Sequence, residues 1–417
     1  MDTDNPSNQV SRRGFLGVSS AALAAAVTAY SASSAVAQDQ KSYQNAPGRS
    51  DPGPANPPLD SENPDSIWPP STDSKSLVPT FKYPFSFANK RVYEGGWSRE
   101  VTVRELPVSK TLAGVNMRLN AGGVRELHWH TAAEWAIMLY GSARITAIDN
   151  DGRSFVADTN KYDLWFFPSG IPHSIQGLGP DGCEFMLVFD DGNFSESETV
   201  LLSDAMAHIP REVLSKNFGI PEQAFHDTPR GELFIFPVAV PGPLASDQHA
   251  AAGTLPQSPI NFAFRTMDIP PTKSTKGGNV RIIDSNTFKV TTTAMAMVTL
   301  HPGGLRELHW HQTADEWQYY ISGKGRMTVI STGNKGRTMD FQAGDVGYVE
   351  KTLLHYIENT GDSDMVFLEM FKSPYYQDLS FTEWLTHTPP ELVMAHLKID
   401  RAAYDAIPRS KAVILPE

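Results

Sequence analysis

The chain has a single cysteine in 417 residues, Cys183, which excludes an intrachain disulfide and leaves a buried thiol as its expected role. It also lacks an excess of basic charge: 35 Lys and Arg stand against 47 Asp and Glu, a net charge of -12. An acidic surface of this kind argues against nucleic acid as a partner and repels anions at long range, so an anionic substrate has to be drawn in by local cations. Long apolar runs are scarce as well. The alanine-rich stretch ending at Ala35-Val36-Ala37 is short and interspersed with Ser and Thr, too weak to leave a stable membrane anchor. Sustained helical periods are also few. From Phe81 onward, short runs of Val, Ile, Phe and Tyr are broken by Gly, Pro and Asn, which predicts an all-β fold of sandwich or barrel type with peripheral helices.

The alanine-rich stretch follows Ser11-Arg12-Arg13-Gly14-Phe15-Leu16, the pattern of twin-arginine export, and small residues before Gln38 mark a cleavage site. Residues 1–37 therefore read as a signal peptide, and the mature protein as periplasmic or extracellular. That route carries folded proteins, so a metal can be inserted in the cytoplasm, where availability rather than raw affinity selects it. A weakly bound ion such as Mn²⁺ then holds a nitrogen-rich site against copper or zinc. Residues 38–80 form a proline-rich arm, with nine prolines among residues 38–79, a composition that disfavours helix and strand interiors.

What the chain does have, it has twice. Arg125-Glu126-Leu127-His128-Trp129-His130 returns as Arg306-Glu307-Leu308-His309-Trp310-His311, and Glu134, Gly141, Asp163, His173 and Phe189 each recur 182 residues later, at Glu316, Gly323, Asp345, His355 and Phe371. The period predicts two domains, 81–235 and 236–417, separated by the proline-rich passage from Pro229 to Pro259. Helical stretches at Leu201 to Phe218 and Phe381 to Leu397 stand in corresponding places behind each.

The spacing within each copy points to a metal. In a β-strand alternate side chains share a face, so His-x-His sends two imidazoles inward while Trp129 or Trp310 points away, to pack as a core or interface residue or, less simply, to relay electrons. A loop of three residues in one copy and four in the other leads to Glu134 or Glu316. Each of these opens a strand (Trp135 to Tyr140, Trp317 to Ile321) predicted to end at a glycine turn. His173 and His355, each ten residues beyond an aspartate, complete two sets of three imidazoles and one carboxylate. Four protein ligands on a six-coordinate ion leave two positions free. Arg125 and Arg306, three residues before each first histidine, are the local cations that an anionic ligand would need. Aligning the copies sets Glu369 opposite Leu187, so the two centres differ in their acids.

On these residues the chain resembles the cupin family. Gly122-x5-His128-x-His130-x3-Glu134-x6-Gly141 and Gly303-x5-His309-x-His311-x4-Glu316-x6-Gly323 fit its first motif, and the segments ending in His173 and His355 fit its second, with Tyr162 departing where Gly344 supplies the usual glycine. From about Phe81 to the C-terminus the closer resemblance is to the bicupin oxalate decarboxylases, through Arg-Glu-Leu-His-Trp-His, Phe-Pro-Ser-Gly-Ile-Pro-His-Ser-Ile-Gln and Phe-Asp-Asp-Gly-Asn-Phe-Ser-Glu. The resemblance implies two tandem jelly-roll-like barrels, Mn²⁺ in each (two per chain), and dioxygen as a cofactor not consumed overall. It also implies decarboxylation of oxalate to formate and CO₂ through a metal-bound oxalate radical, and a homo-oligomeric, hexameric assembly.

The same resemblance places Glu196 on a lid over the N-terminal site as the group that takes and returns a proton, with Arg125 polarising the substrate. It sets Tyr376 near the C-terminal site with Arg306 again as the polarising group, so that with Glu369, the acid found by aligning the copies, this centre stands as catalytic, auxiliary or structural, and Arg306 and Glu369 as further catalytic candidates. Ser197 and Glu198 depart from the commonest family lid, which makes Glu198 a rival base. Two alternatives accompany this expectation: an oxalate oxidase yielding CO₂ and hydrogen peroxide, and a non-enzymatic binding bicupin.

Overall fold

Period-2 alternation along the chain becomes two barrels of short antiparallel strands in the computed structural model, which describes residues 56–63, 72–74 and 78–417. The leader of residues 1–37 and most of the arm of residues 38–80 lie outside the described residues. Among the described residues no helix is long and apolar enough to cross a membrane.

In the first barrel the strand Glu134–Ile148 serves both sheets. Its opening half pairs with Cys183–Phe189 and Asp163–Phe167, and its closing half with Ser154–Asn160 and His173–Gly177. The sequence predicts a turn after Tyr140, but none forms: Gly141 takes φ 68° and the strand bends onward through it. A Cβ at Gly141 would stand 2.0 Å from the Gly182 carbonyl oxygen, so the close crossing, rather than a reversal, is what requires glycine. The second copy does divide there, into Glu316–Ser322 and Lys324–Ser331 around Gly323 at φ 80°. Tyr162 occupies the position of Gly344 and accepts its left-handed backbone, φ 71° against 89°.

The barrels exchange their opening strands. Lys82–Pro84 pairs with Asp345–Gly347 of the second barrel, and Ala263–Arg265 pairs with Asp163–Trp165 of the first. The passage between them is not a free linker either. Ile235–Pro237 pairs with Gly123–Arg125, the helix Leu244–Ala252 lies on the strand Ser154–Asn160, and Ser258 donates to Asp149 at 2.7 Å. The cuts at 81 and at 235/236 expected from sequence are therefore crossed by hydrogen-bonded structure: residues 82–84 belong with the second barrel and residues 236–265 with the first. Composition marked the proline-rich passage as a separator because it cannot report long-range pairing.

One apolar cluster seals this junction, with Phe85, Trp135, Leu164 and Met186 from the first repeat against Phe288, Met297, Trp317 and Tyr348 from the second. The Trp317 ring fills the space above Gly114, where a Cβ would come within 2.4 Å of it. Behind the barrels, the expected helical stretches form as pairs, Leu202–His208 with Arg211–Phe218 and Phe381–Thr386 with Pro390–Leu397, broken at Pro210 and at Pro389 where no amide is available.

Candidate metal centres

Strand geometry presents the ligands as the alternation requires. His128 lies on the inner face of Gly123–Trp129 and His130 just beyond its end, both buried, while Trp129 between them is 36% exposed. Glu134 opens the next strand and His173 begins His173–Gly177, directly paired with His128. The second barrel repeats the arrangement with His309, His311, Glu316 and His355. In each set one donor atom per residue lies within 4.8 Å of all the others, and all eight residues are buried.

The hydrogen bonds around the imidazoles define what these clusters hold. Every ring commits Nδ1 to a backbone carbonyl: His128 to Glu126 at 2.6 Å, His130 to Ala132 at 2.6 Å, His173 to Ile171 at 2.7 Å, His309 to Glu307 at 2.7 Å, His311 to Gln377 at 2.8 Å and His355 to Leu353 at 3.0 Å. A carbonyl only accepts, so Nδ1 carries the proton and Nε2 of a neutral ring is a lone pair. Those lone pairs face a carboxylate: the Glu134 Oε2 atom is 3.2 Å from His130 Nε2 and 3.3 Å from His173 Nε2, and Glu316 Oε2 is 2.8 Å from His355 Nε2. In the second cluster His309, His311 and His355 Nε2 and Glu316 Oε2 make no hydrogen bond among the described residues. Buried acceptors pointed at one another are unfavourable unless a cation sits among them, and three nitrogens with one carboxylate oxygen suit a divalent transition ion.

The first histidine of each set agrees, whereas His311, despite its burial, is raised by Glu316 beside it. Burial, with Arg125 beside it, holds His128 well below its ordinary value, and burial with Arg306 does the same for His309. Burial alone would raise Glu134 and Glu316, but the neighbouring imidazoles hold both carboxylates below their usual range. The second oxygen of each carboxylate is fixed from behind, by Trp165 Nε1 at 2.8 Å for Glu134 and by Gln318 Nε2 at 2.6 Å for Glu316. The glutamate of the Arg-Glu-Leu-His motif is structural: buried Glu126 accepts from the amides of Ser203, Leu233 and Phe234, tying the ligand strand to the helices behind it.

Beyond these matching cages the two centres diverge. Beside the first lies a small pocket lined by Arg125, Glu196, Met117, Leu187, Phe189 and Phe194 together with the ligands His128, His130 and Glu134. Buried Arg125 makes one long hydrogen bond, 3.5 Å from Nη1 to the Phe234 carbonyl, and its guanidinium lies 4.0 Å over the Phe234 ring. Glu196, on the short helical turn Glu196–Glu198, is 4% exposed and takes a 2.8 Å hydrogen bond from Ser98 Oγ. Burial pushes its carboxyl up to about 7 against the opposing pull of Arg125 and Ser98. Glu198 is exposed and does not line the pocket.

At the second centre the arginine is already neutralised. Arg306 donates to Glu369 at 3.1 Å, to the Tyr376 hydroxyl at 2.7 Å and to Asp378 at 2.8 Å, and Asp378 is also paired with Lys411. Asp378 and Lys411 were not singled out from sequence, because the segment after Phe371 is three residues shorter than its counterpart after Phe189 before the strands rejoin at Ser380 and Leu201. Ser98 was also missed. Its counterpart at the 182-residue offset is Val280, a divergence between copies that comparison of the repeats exposes.

Comparison with known proteins places these features. The cupin family model matches residues 86–224 and again 265–404. The oxalate decarboxylase of Bacillus subtilis (strain 168) is 50% identical over 353 residues, covering 84% of this chain and 90% of that protein. A probable oxalate decarboxylase of Arthroderma benhamiae is 37% identical over 362 residues, covering 86% and 88% respectively. A solved structure of the Bacillus subtilis oxalate decarboxylase, studied for its Mn(II) centres, matches with a TM-score of 0.85 at 48% identity, over 89% of this chain and 97% of that one.

Proposed function

We propose, as the chain belongs to the cupin family and within it to the oxalate decarboxylases, that it is a carboxy-lyase cleaving oxalate to formate and CO₂. The observation that carries this reading is the asymmetry at the first centre: a buried guanidinium that forms no direct ion pair among the described residues stands beside a complete His₃Glu cage and a buried, protonatable Glu196. A small dicarboxylic acid bound as its anion would complete that arrangement.

His128, His130, Glu134 and His173 would hold manganese(II), which with dioxygen as a co-reactant not consumed overall would supply reversible one-electron redox chemistry to the bound substrate. The chain's own residues do the rest. Arg125 binds and orients the carboxylates of oxalate through its planar fork. Glu196 takes the proton of mono-protonated oxalate and returns it to the carbon left behind, so that one C–C bond is broken, one C–H bond is formed and no net electron is lost. Phe189 and Phe194, stacked with centroids 3.5 Å apart, exclude water from the site while the lid is shut. The second centre, whose arginine is engaged by Glu369 and Asp378, we assign an auxiliary or structural role.

Purified protein given oxalate is expected to release about one formate and one CO₂ per oxalate consumed, with Mn²⁺ on the same sample; peroxide without formate would establish the oxidase instead. Glu134→Gln, which removes the only charged ligand of the first cage, is expected to lower bound metal from two ions per chain to one and to abolish turnover, checked by elemental analysis. The apolar groove lined by Leu127, Leu202, Met206, Phe218 and Phe236 supports a homo-oligomer, hexameric as in the family expectation. The twin-arginine leader supports export to the periplasm or beyond.

A further inference from the structure

We infer that Ser98, Glu100 and Arg104 form a latch that holds the lid segment 194–198 shut over the first centre, acting as positioning residues for Glu196. Ser98 and Glu100 are two apart on the strand Gly96–Val101 and so project on one face, and Arg104 follows in the turn beyond. From that face the three residues grip the lid at successive points. Arg104 Nη2 donates to the Phe194 carbonyl at 3.4 Å and to Glu100 Oε1 at 2.7 Å, and Glu100 Oε2 accepts the Glu196 amide at 3.2 Å. Ser98 Oγ donates to the Glu196 carboxylate at 2.8 Å. Backbone and side chain of the lid are therefore fixed by a single charged pair and a hydroxyl outside the lid.

The repeat shows that this grip serves the lid rather than the barrel. Gly96 and Gly278 open equivalent strands with the same unusual backbone, φ 155° and 144°, and the two strands share one burial pattern. In the second copy the three latch positions are Val280, Ile282 and Asn286, and the segment they would hold is the one shortened by three residues. The latch residues accompany the full-length lid in one copy, and in the other both are altered, the three positions replaced and the segment shortened, although both ligand sets are complete. The ion pair is only partly buried, side-chain exposure being 48% for Arg104 and 24% for Glu100, so it is strong enough to favour closure and weak enough to release.

This inference rests on the proposed decarboxylase reading for its consequence, and on the hydrogen bonds alone for its mechanics. The test uses the full mature chain with its metal and compares wild type with Glu100→Ala, Arg104→Ala and Arg104→Lys. Amide hydrogen exchange at residues 194–198 is expected to accelerate about tenfold in both alanine variants, the loss of one charge-assisted hydrogen bond, and to recover largely in Arg104→Lys. Metal content and exchange elsewhere in the barrel stay as in wild type. With oxalate, the alanine variants are expected to shift product from formate toward peroxide several-fold, because water and dioxygen reach the opened site; the balanced side reaction oxidises oxalate to two CO₂ while dioxygen and two protons become hydrogen peroxide. Unchanged exchange at residues 194–198 in both alanine variants overturns the latch. Absence of formate from wild type overturns the decarboxylase reading instead, and leaves the exchange result to decide the latch by itself.

Discussion

Glu196→Ala is expected to reduce formate production by about 10²- to 10⁴-fold, the usual contribution of a positioned acid–base group, while both metal ions stay bound. The carboxyl lies in the pocket lining beside Arg125 and the ligands but belongs to neither cage, so its removal takes away the proton relay and leaves the His₃Glu set whole. Glu196→Gln separates the chemistry from the gate. Its neutral amide fits the buried position, so the lid stays shut and formate is lost all the same. Glu198→Gln, at an exposed position, is expected to retain formate production. Wild-type formate levels in Glu196→Ala, or their loss in Glu198→Gln, would transfer the role to Glu198.

The same carboxyl makes closure depend on pH, with a definite sign. Its value is raised by burial from an ordinary 4.5 to about 7 in the closed lid, so the closed form binds the proton more tightly than the open one. The proton-linked part of closure is therefore complete below about 4.5 and is lost as pH rises through about 7. Protection of the amides of residues 194–198, taken relative to their intrinsic exchange rate at each pH, is expected to be greatest at the acid end of that interval. In Glu196→Gln the pH dependence of this protection should vanish.

Arg125→Ala is the second large effect: a fall in kcat/KM for oxalate of about 10²- to 10³-fold, the scale on which a donor aimed at developing charge matters in a water-poor site. Arg125→Lys keeps the charge but loses the planar fork, and is expected to recover only part of it. Neither change should unfold the protein, because among the described residues Arg125 forms no direct ion pair and has one 3.5 Å bond to lose. Arg306→Ala should behave in the opposite way. Glu369 would be left as a buried carboxylate without its cation, while Asp378 would keep only Lys411, a change that costs about 3–5 kcal/mol, so thermal unfolding at a markedly lower temperature is the expected result. Two arginines at matching places in one sequence motif thus predict a kinetic defect in one case and a stability defect in the other.

Both cages were legible as a repeated pattern because strand periodicity is local: His-x-His must share a face, and a carboxylate opening the next strand must lie nearby. The residues that distinguish the centres were less accessible. Glu369 emerged from aligning the copies, but its pairing with Arg306, and that of Asp378 with Arg306 and Lys411, brings together positions far apart in the chain. The tryptophans point outward as the alternation requires, and Trp310 meets Trp384 edge-on at 6.1 Å from a helix that the repeat alone does not orient.

Sequence by itself determined the barrel class, the duplication and the eight metal-facing side chains, since each depends on spacing along one or two adjacent strands. Only the tertiary structure decided that the barrels trade their first strands, that Gly141 bends a strand instead of ending it, and that one arginine is paired with acids while its twin is not. Those outcomes follow from which distant segments exclude water around the same point, a property of packing that no local period encodes.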